Sequence, residues 1–209
     1  MSASPGAALA GRVAEAAAVL RRGGVIAYPT ETFYGLGALA SDGAAVARLV
    51  RAKDRPDGQP LPLLGADLAQ LEAVARFDPL ARRLATAFWP GPLTLVLPAR
   101  PGLAPAIIGG GGTVGVRVTS GEVAAALAAA AGGALVATSA NLSGQPPPTS
   151  IDQLDGALRG RLDAVLDGGA TPGGSPSTVV EVDGDRLRLL RAGVVPLAAV
   201  GAAAGVEVK

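Results

Sequence analysis

Residues 28–55, YPTETFYGLGALASDGAAVARLVRAKDR, hold the most informative pattern in this chain. The apolar run at 25–28 reads as a short strand, and Pro29-Thr30-Glu31-Thr32 sets three consecutive hydrogen-bonding side chains at its end. Residues 32–39 read as extended too. Ser41-Asp42 supply cap chemistry for a helix over 44–52, because short oxygen-bearing side chains satisfy the first free N–H groups of a helix. Lys53 and Arg55 follow, two apart beside Pro56. On extended chain such a pair points to one side, so it is expected to act as a cationic fork. A polar turn at a strand end and a paired cation together predict a site for an anionic ligand.

On either side of this segment, strand and helix signals alternate. Leu9, Val13, Ala16 and Leu20 give residues 1–23 an apolar helical face, closed by Gly23-Gly24. A strand is expected at 61–64, and Asp67 is expected to cap a helix running to 75. Asp78-Pro79 opens another helix that reaches 88. Trp89-Pro90-Gly91-Pro92 forms a corner into a strand at 93–97. Further on, the pattern predicts strands at 113–118, 134–138 and 164–166, with helices at 122–131, 151–158 and 196–204. Asp183-Gly184 between the apolar runs 178–182 and 187–190 is a hairpin signal. No internal repeat or composition shift marks a linker, so one domain over 1–209 is expected. Alternating elements with a hairpin among them favour an α/β fold, an open twisted mixed β-sheet with flanking helices.

The composition excludes several function classes. With 49% hydrophobic and 17% charged residues the chain is globular, and 3% aromatics leave the core to Ala, Val, Leu and Ile. A net charge of +1 lacks the basic excess of a duplex-binding protein. Apolar runs are broken well short of the ~20 residues that span a membrane, and no basic segment precedes an apolar block at the N-terminus, so the expected compartment is the cytoplasm. The chain has no Cys and no His. That removes thiolate nucleophiles, imidazole bases and the usual zinc sites. What remains is chemistry carried by cations, hydroxyls and backbone amides, which suits phosphoryl or nucleotidyl transfer.

Several local signals bear on such a site. Gly35-Leu36-Gly37-Ala38-Leu39-Ala40 matches a dinucleotide fingerprint, but that turn needs its glycines to open a helix directly. Here Ser41-Asp42 intervene, so close packing is the better account of the glycines. Loops 109–112 and 168–175 could offer backbone N–H groups to phosphates. Lys53 could equally complement a helix dipole. Arg117 lies inside an apolar strand, where a charge is costly unless it is paired or faces a cavity. Ser139 and Asn141 follow the apolar run 135–137, either as ligand-binding residues at a strand end or as ordinary turn formers.

Taken in order, YPTETFYGLG (28–37), KDRP (53–56), WPGPLTLVLPA (89–99), VGVRVTS (114–120), TSANLSGQPPPT (138–149), LDGGATPGGSPSTVV (166–180) and LLRAGVV (189–195) resemble the YrdC/Sua-type threonylcarbamoyl-AMP synthases in their short, single-domain form. The resemblance implies a sheet wrapped around a large concave cavity. It implies a reaction of L-threonine, bicarbonate and ATP that yields threonylcarbamoyl-adenylate and pyrophosphate. Mg2+ would accompany ATP, held mainly by phosphates. The product would pass to a separate complex that modifies the adenosine beside the tRNA anticodon, with direct tRNA contact a further possibility.

Position by position, the resemblance puts Lys53, Arg55, Ser139, Asn141 and Arg191 around ATP, with Gln59, Thr113 and Pro147 beside the nucleotide. Lys53 and Arg55 carry the catalytic charge. Thr32, Arg117, Ala137 and Ser177 would hold L-threonine, and no residue is a metal ligand. Longer members carry a His where this chain has Leu64. Two other classes stay open: a non-catalytic nucleotide- or RNA-binding relative, and carbamoyl transfer to a different acceptor.

Overall fold

The computed structural model describes residues 5–55, 58–206 and 208. Pro56 of the KDRP motif and the ends of the predicted 1–209 domain lie outside them. Helix α1 (Pro5–Arg21) buries Val13, Ala16, Ala17 and Leu20, the spacing of one helical face. Gly23, at φ 80°, ends it in the left-handed conformation that favours glycine. Strand β1 (Ile26–Pro29) then pairs antiparallel with β2 (Tyr34–Gly37), in register Ile26 to Gly37.

The loop between these strands is turned by one hydroxyl. Thr30 Oγ1 accepts the N–H groups of Thr32 and Phe33 at 3.3 Å each and donates to the Phe33 carbonyl at 2.7 Å. That side-chain turn competes with extended backbone, so the strand starts at Tyr34 and not, as the sequence predicts, at Thr32. Gly37 sits in β2 and not at a helix start. A Cβ there would fall 2.7 Å from the Tyr28 ring, so the glycine pattern serves close packing.

Helix α2 (Gly43–Ala52) is capped by Asp42, whose Oδ1 accepts from the N–H groups of Ala44 and Ala45. After β3 (Leu63–Gly65), α3 (Leu68–Glu72) stops short of the expected 75. Ala75 instead bridges to Ala99, and the Arg76 N–H bonds the Pro98 carbonyl. Helix α4 (Pro79–Phe88), capped by Asp78, leads through Trp89 into β4 (Leu93–Pro98). The Trp89 indole N–H donates to the Leu93 carbonyl at 2.7 Å, and its ring meets Phe77 edge-on at 5.9 Å.

Strand β5 (Thr113–Val118) and helix α5 (Glu122–Ala131) have the predicted bounds. The predicted strand 134–138 divides into β6 (Leu135–Val136) and β7 (Thr138–Ser139). Its residues change partner at Ala137: β6 pairs with β3, and β7 pairs with β2. The predicted helix 151–158 is a 3₁₀ turn and a separate helix α6 (Gly156–Arg159), because Asp155 caps the second piece through the Leu158 N–H. Strand β8 (Ala164–Val165), the hairpin β9 (Thr178–Asp183) and β10 (Arg186–Arg191), and helix α7 (Leu197–Ala204) complete the order. Gly184 turns the hairpin at φ 61°.

The fold class is mixed α/β with flanking helices, as expected, but the strands form two sheets and not one. The first has order β7-β2-β1-β8 and the second β10-β9-β4-β5-β3-β6, each with parallel and antiparallel neighbours. Residues 135–139 run from the second sheet into the first. Among the described residues, no helix is long and apolar enough to cross a membrane.

Candidate active site

One cavity of about 1010 Å3 is walled by strands of both sheets. Strand alternation explains the wall: on β5, Val114, Val116 and Val118 are buried, while Thr113, Gly115 and Arg117 face the cavity. All four residues expected at threonine line it: Thr32, Arg117, Ala137 and Ser177. So do six of those expected at the nucleotide: Arg55, Gln59, Thr113, Ser139, Pro147 and Arg191.

Lys53 and Asn141 stand behind this wall. Lys53 is 3% exposed. Its ammonium bonds the Ser139 carbonyl, the Asn141 carbonyl at 3.0 Å, and both side-chain oxygens, Ser139 Oγ and Asn141 Oδ1, at 3.3 Å. Asn141 in turn donates through Nδ2 to the carbonyls of Leu142 and Gln145. Lys53 thus clamps the 139–141 segment into shape. Burial, with the Arg55 cation second, pushes its ammonium down to about 8.

The cation pair does not sit on extended chain. Lys53 is the C-cap of α2, Asp54 lies at φ 50°, and the N–H groups of Asp54 and Arg55 bond the carbonyls of Arg51 and Val50. This is a Schellman ending, with Asp54 in the left-handed position that glycine usually fills. Asp54 is held there from outside: Arg161 Nη1 donates to its Oδ2 at 2.8 Å and to the Ala52 carbonyl at 3.0 Å. Asp54→Ala keeps the backbone strain and loses the anchor, whereas Asp54→Gly loses only the anchor. In urea denaturation the alanine variant is expected to be the less stable by about 1 kcal/mol.

Arg55 donates to the Gln59 carbonyl at 3.2 Å and, more distantly at 3.4 Å, to Thr138 Oγ1. Arg191 reaches across to Ser177, bonding its carbonyl at 2.8 Å and its Oγ at 3.0 Å. The two expected ligand ends therefore meet at Ser177. Ser177 Oγ also lies 2.8 Å from Thr94 Oγ1, a cavity hydroxyl on β4 that the sequence reading overlooked. Its signal was a polar residue inside the apolar run LTLVLP.

Arg117 answers the question its sequence position raised, since it is both paired and facing the cavity. Its guanidinium touches the carboxylate of Glu31, with side-chain exposures of 12% and 15%. Burial pushes Arg117 down to about 10, and burial likewise lowers Arg55 and Arg191. Burial thus makes the charge on all three costly, and an anion in the cavity would offset part of that cost. Among the described lining residues the one carboxylate, Glu181, is already taken by Arg188 at 2.6 Å.

The glycine-rich segment 168–175 is tied to the same site by its backbone. The Gly173 N–H bonds the Thr32 carbonyl at 2.7 Å, and the Gly169 carbonyl accepts from Tyr34 Oη at 2.7 Å. Gly109 and Gly110 of the other glycine loop line the cavity. Leu64 is buried on β3 in the core cluster that contains Tyr28 and Leu135, and is not among the cavity-lining residues.

The Sua5/YciO/YrdC family model, described as "Telomere recombination", matches residues 18–193. The threonylcarbamoyl-AMP synthase of Bacillus subtilis is 44% identical over 184 residues, 87% of this chain and 53% of that protein. The one from Chromohalobacter salexigens is 39% identical over 86% of this chain and 97% of its own length. This chain therefore spans about half of some curated relatives and nearly all of others. Among solved structures, Pyrococcus abyssi Sua5 complexed with L-threonine superposes with a TM-score of 0.88 at 40% identity, covering 96% of this chain and 59% of that one. Escherichia coli YciO superposes at 0.81 and 30% identity, covering 91% and 93%. With the family match across most of its length and relatives this similar, the chain belongs to the Sua5/YciO/YrdC family.

Proposed function

We propose that this protein is an L-threonylcarbamoyladenylate synthase working as one domain in the cytoplasm. The observation that carries the proposal is a single cavity with desolvated Arg117 facing it and Arg55 and Arg191 on the same walls. Relatives named threonylcarbamoyl-AMP synthase support it, as does the likeness to a Sua5 complexed with L-threonine.

Arg117 would grip the threonine carboxylate as a bidentate fork, with Thr32 and Ser177 beside the rest of the amino acid. The free amine attacks the carbon of CO2 and gives up a proton to solvent, or attacks bicarbonate with loss of water, and becomes an N-carboxylate. A carboxylate oxygen then attacks the α-phosphorus of ATP and expels pyrophosphate. No side-chain nucleophile is needed, which suits a chain without Cys or His. Arg55 and Arg191 meet the charge that develops on the triphosphate, and Lys53 adds its own from behind the Ser139–Asn141 segment. Gln59, Thr113 and Pro147 flank the nucleotide.

Mg2+ enters as part of the Mg-ATP substrate. Phosphates and water would hold most of its coordination sphere, as is usual for that ion. The product is handed to a separate complex that modifies tRNA.

The test is pyrophosphate release from Mg-ATP by the purified protein. Release is expected only when both threonine and bicarbonate are present. Release no greater than that of a control without threonine refutes the assignment.

A further inference from the structure

Arg117 owes its direction to a residue outside the cavity wall. A guanidinium carries five N–H donors on a long flexible stem, and a buried one turns toward whatever acceptor is nearest. Here that acceptor is Glu31, which contacts Nη1. Glu31 is itself fixed from behind. Its Oε2 accepts the Thr119 hydroxyl at 2.6 Å, and Thr119 Oγ1 accepts the Gly121 N–H at 3.1 Å.

Thr119 is 2% exposed. Gly121, the N-cap of α5, lies so close that a Cβ there would stand 2.9 Å from the Glu31 nitrogen and 3.3 Å from its Oε2. The absence of a side chain at Gly121 thus leaves space for the carboxylate, and the Thr119 hydroxyl tethers it there. Glu31 is not among the residues that line the cavity, although Arg117 is.

We propose that Glu31, locked by Thr119, is a positioning residue that engages one corner of the Arg117 guanidinium and leaves its remaining donors aimed into the cavity for the carboxylate of an α-amino acid. The proposal rests on the threonine assignment above. Two other roles disagree with the geometry. As a general base for the substrate amine, Glu31 would need a free oxygen facing the cavity, yet one oxygen is on Arg117 and the other on Thr119. As an internal competitor for the substrate carboxylate, it would need to leave, and the Thr119 hydroxyl holds it in place.

The test measures threonine and ATP binding separately by calorimetry, with steady-state kinetics alongside. Glu31→Gln keeps the side chain's shape and an acceptor for Thr119 but removes the charge that holds Arg117. Threonine Kd and KM are expected to rise about 10- to 100-fold, the scale of a hydrogen bond to a charged group. ATP Kd and kcat are expected to stay within about three-fold, inside the scatter of a single neutral hydrogen bond. Thr119→Val should move threonine affinity in the same direction by less, and Thr119→Ser, which keeps the hydroxyl, should restore it.

Unchanged or tighter threonine binding in Glu31→Gln overturns the proposal, as does an equal loss for ATP and threonine. If Glu31→Gln does not fold, the Thr119 pair decides by the same criteria. Wild-type protein that binds no threonine would refute the functional assignment and this role with it. Wild-type binding with no change in the variants would refute this role alone.

Discussion

Arg117→Ala is expected to lower kcat/KM for threonine by about 1000-fold or more, because a bidentate charge-assisted contact in a desolvated site has no substitute there. The same change leaves the Glu31 carboxylate buried without its cation. Removing one partner of such a pair costs about 3–5 kcal/mol, so a lower melting temperature alone would leave the cause of inactivity ambiguous. The double variant Arg117→Met with Glu31→Gln separates the two effects. It removes both charges, so most of the lost stability should return while threonine-dependent turnover stays absent. Activity in the folded double variant would place the amino-acid site elsewhere. Arg117→Lys retains charge but not the planar fork, and should keep ATP binding while losing most threonine affinity.

Lys53 should produce two pH effects of opposite sign. Its ammonium, lowered to about 8 in the folded protein, keeps its ordinary value near 10.5 when unfolded. Below about 8 both states carry the proton, and the folded state bears the full cost of burying the charge. Between about 8 and 10.5 the unfolded chain binds more protons than the folded one, so rising pH favours the folded state. Stability is therefore expected to climb across that window. Activity should fall across it, about ten-fold per pH unit in kcat/KM for ATP, as the clamp on Ser139 and Asn141 loses its charge.

Few side chains besides Lys53 titrate in this window. The chain has no His or Cys, and Lys53 and Lys209 are its two lysines. Stopped-flow pyrophosphate release and urea denaturation from pH 6 to 9.5 would follow both limbs. Lys53→Met should abolish the activity limb and reduce turnover by on the order of 100-fold. A wild-type profile with no change near pH 8 would contradict the assignment of that limb to Lys53.

Local chemistry made much of the fold legible. Asp78-Pro79 opening α4, and Gly132 closing α5 in the left-handed conformation, are self-contained signals, and those helices have the expected bounds. Where a segment's partner lies far along the chain, the sequence was a poorer guide. Residues 135–139 look like one apolar strand, and only their two partners, β3 and β2, divide them between sheets. The turn of Asp54 was hidden because an aspartate fills a position that glycine would have advertised.

The site divides similarly. Thr32, Arg55, Arg117, Ser139 and Arg191, all named from the motifs, line one cavity. That Lys53 faces protein oxygens, and that Glu31 stands against Arg117, depends on tertiary contacts that no spacing encodes. The polar triplet at 30–32 drew attention to the right turn. It could not say that Thr30 and Thr32 line the cavity while Glu31 turns to Arg117.

The corner at Trp89 has a practical consequence. It is the chain's one tryptophan, its indole N–H is fixed to the Leu93 carbonyl, and Thr94 and Val96 of the strand it leads into line the cavity. The protein thus carries a single indole fluorophore joined by a short segment to its own cavity wall. Its emission gives an optical readout of that strand's packing, free of other indoles and of any attached dye.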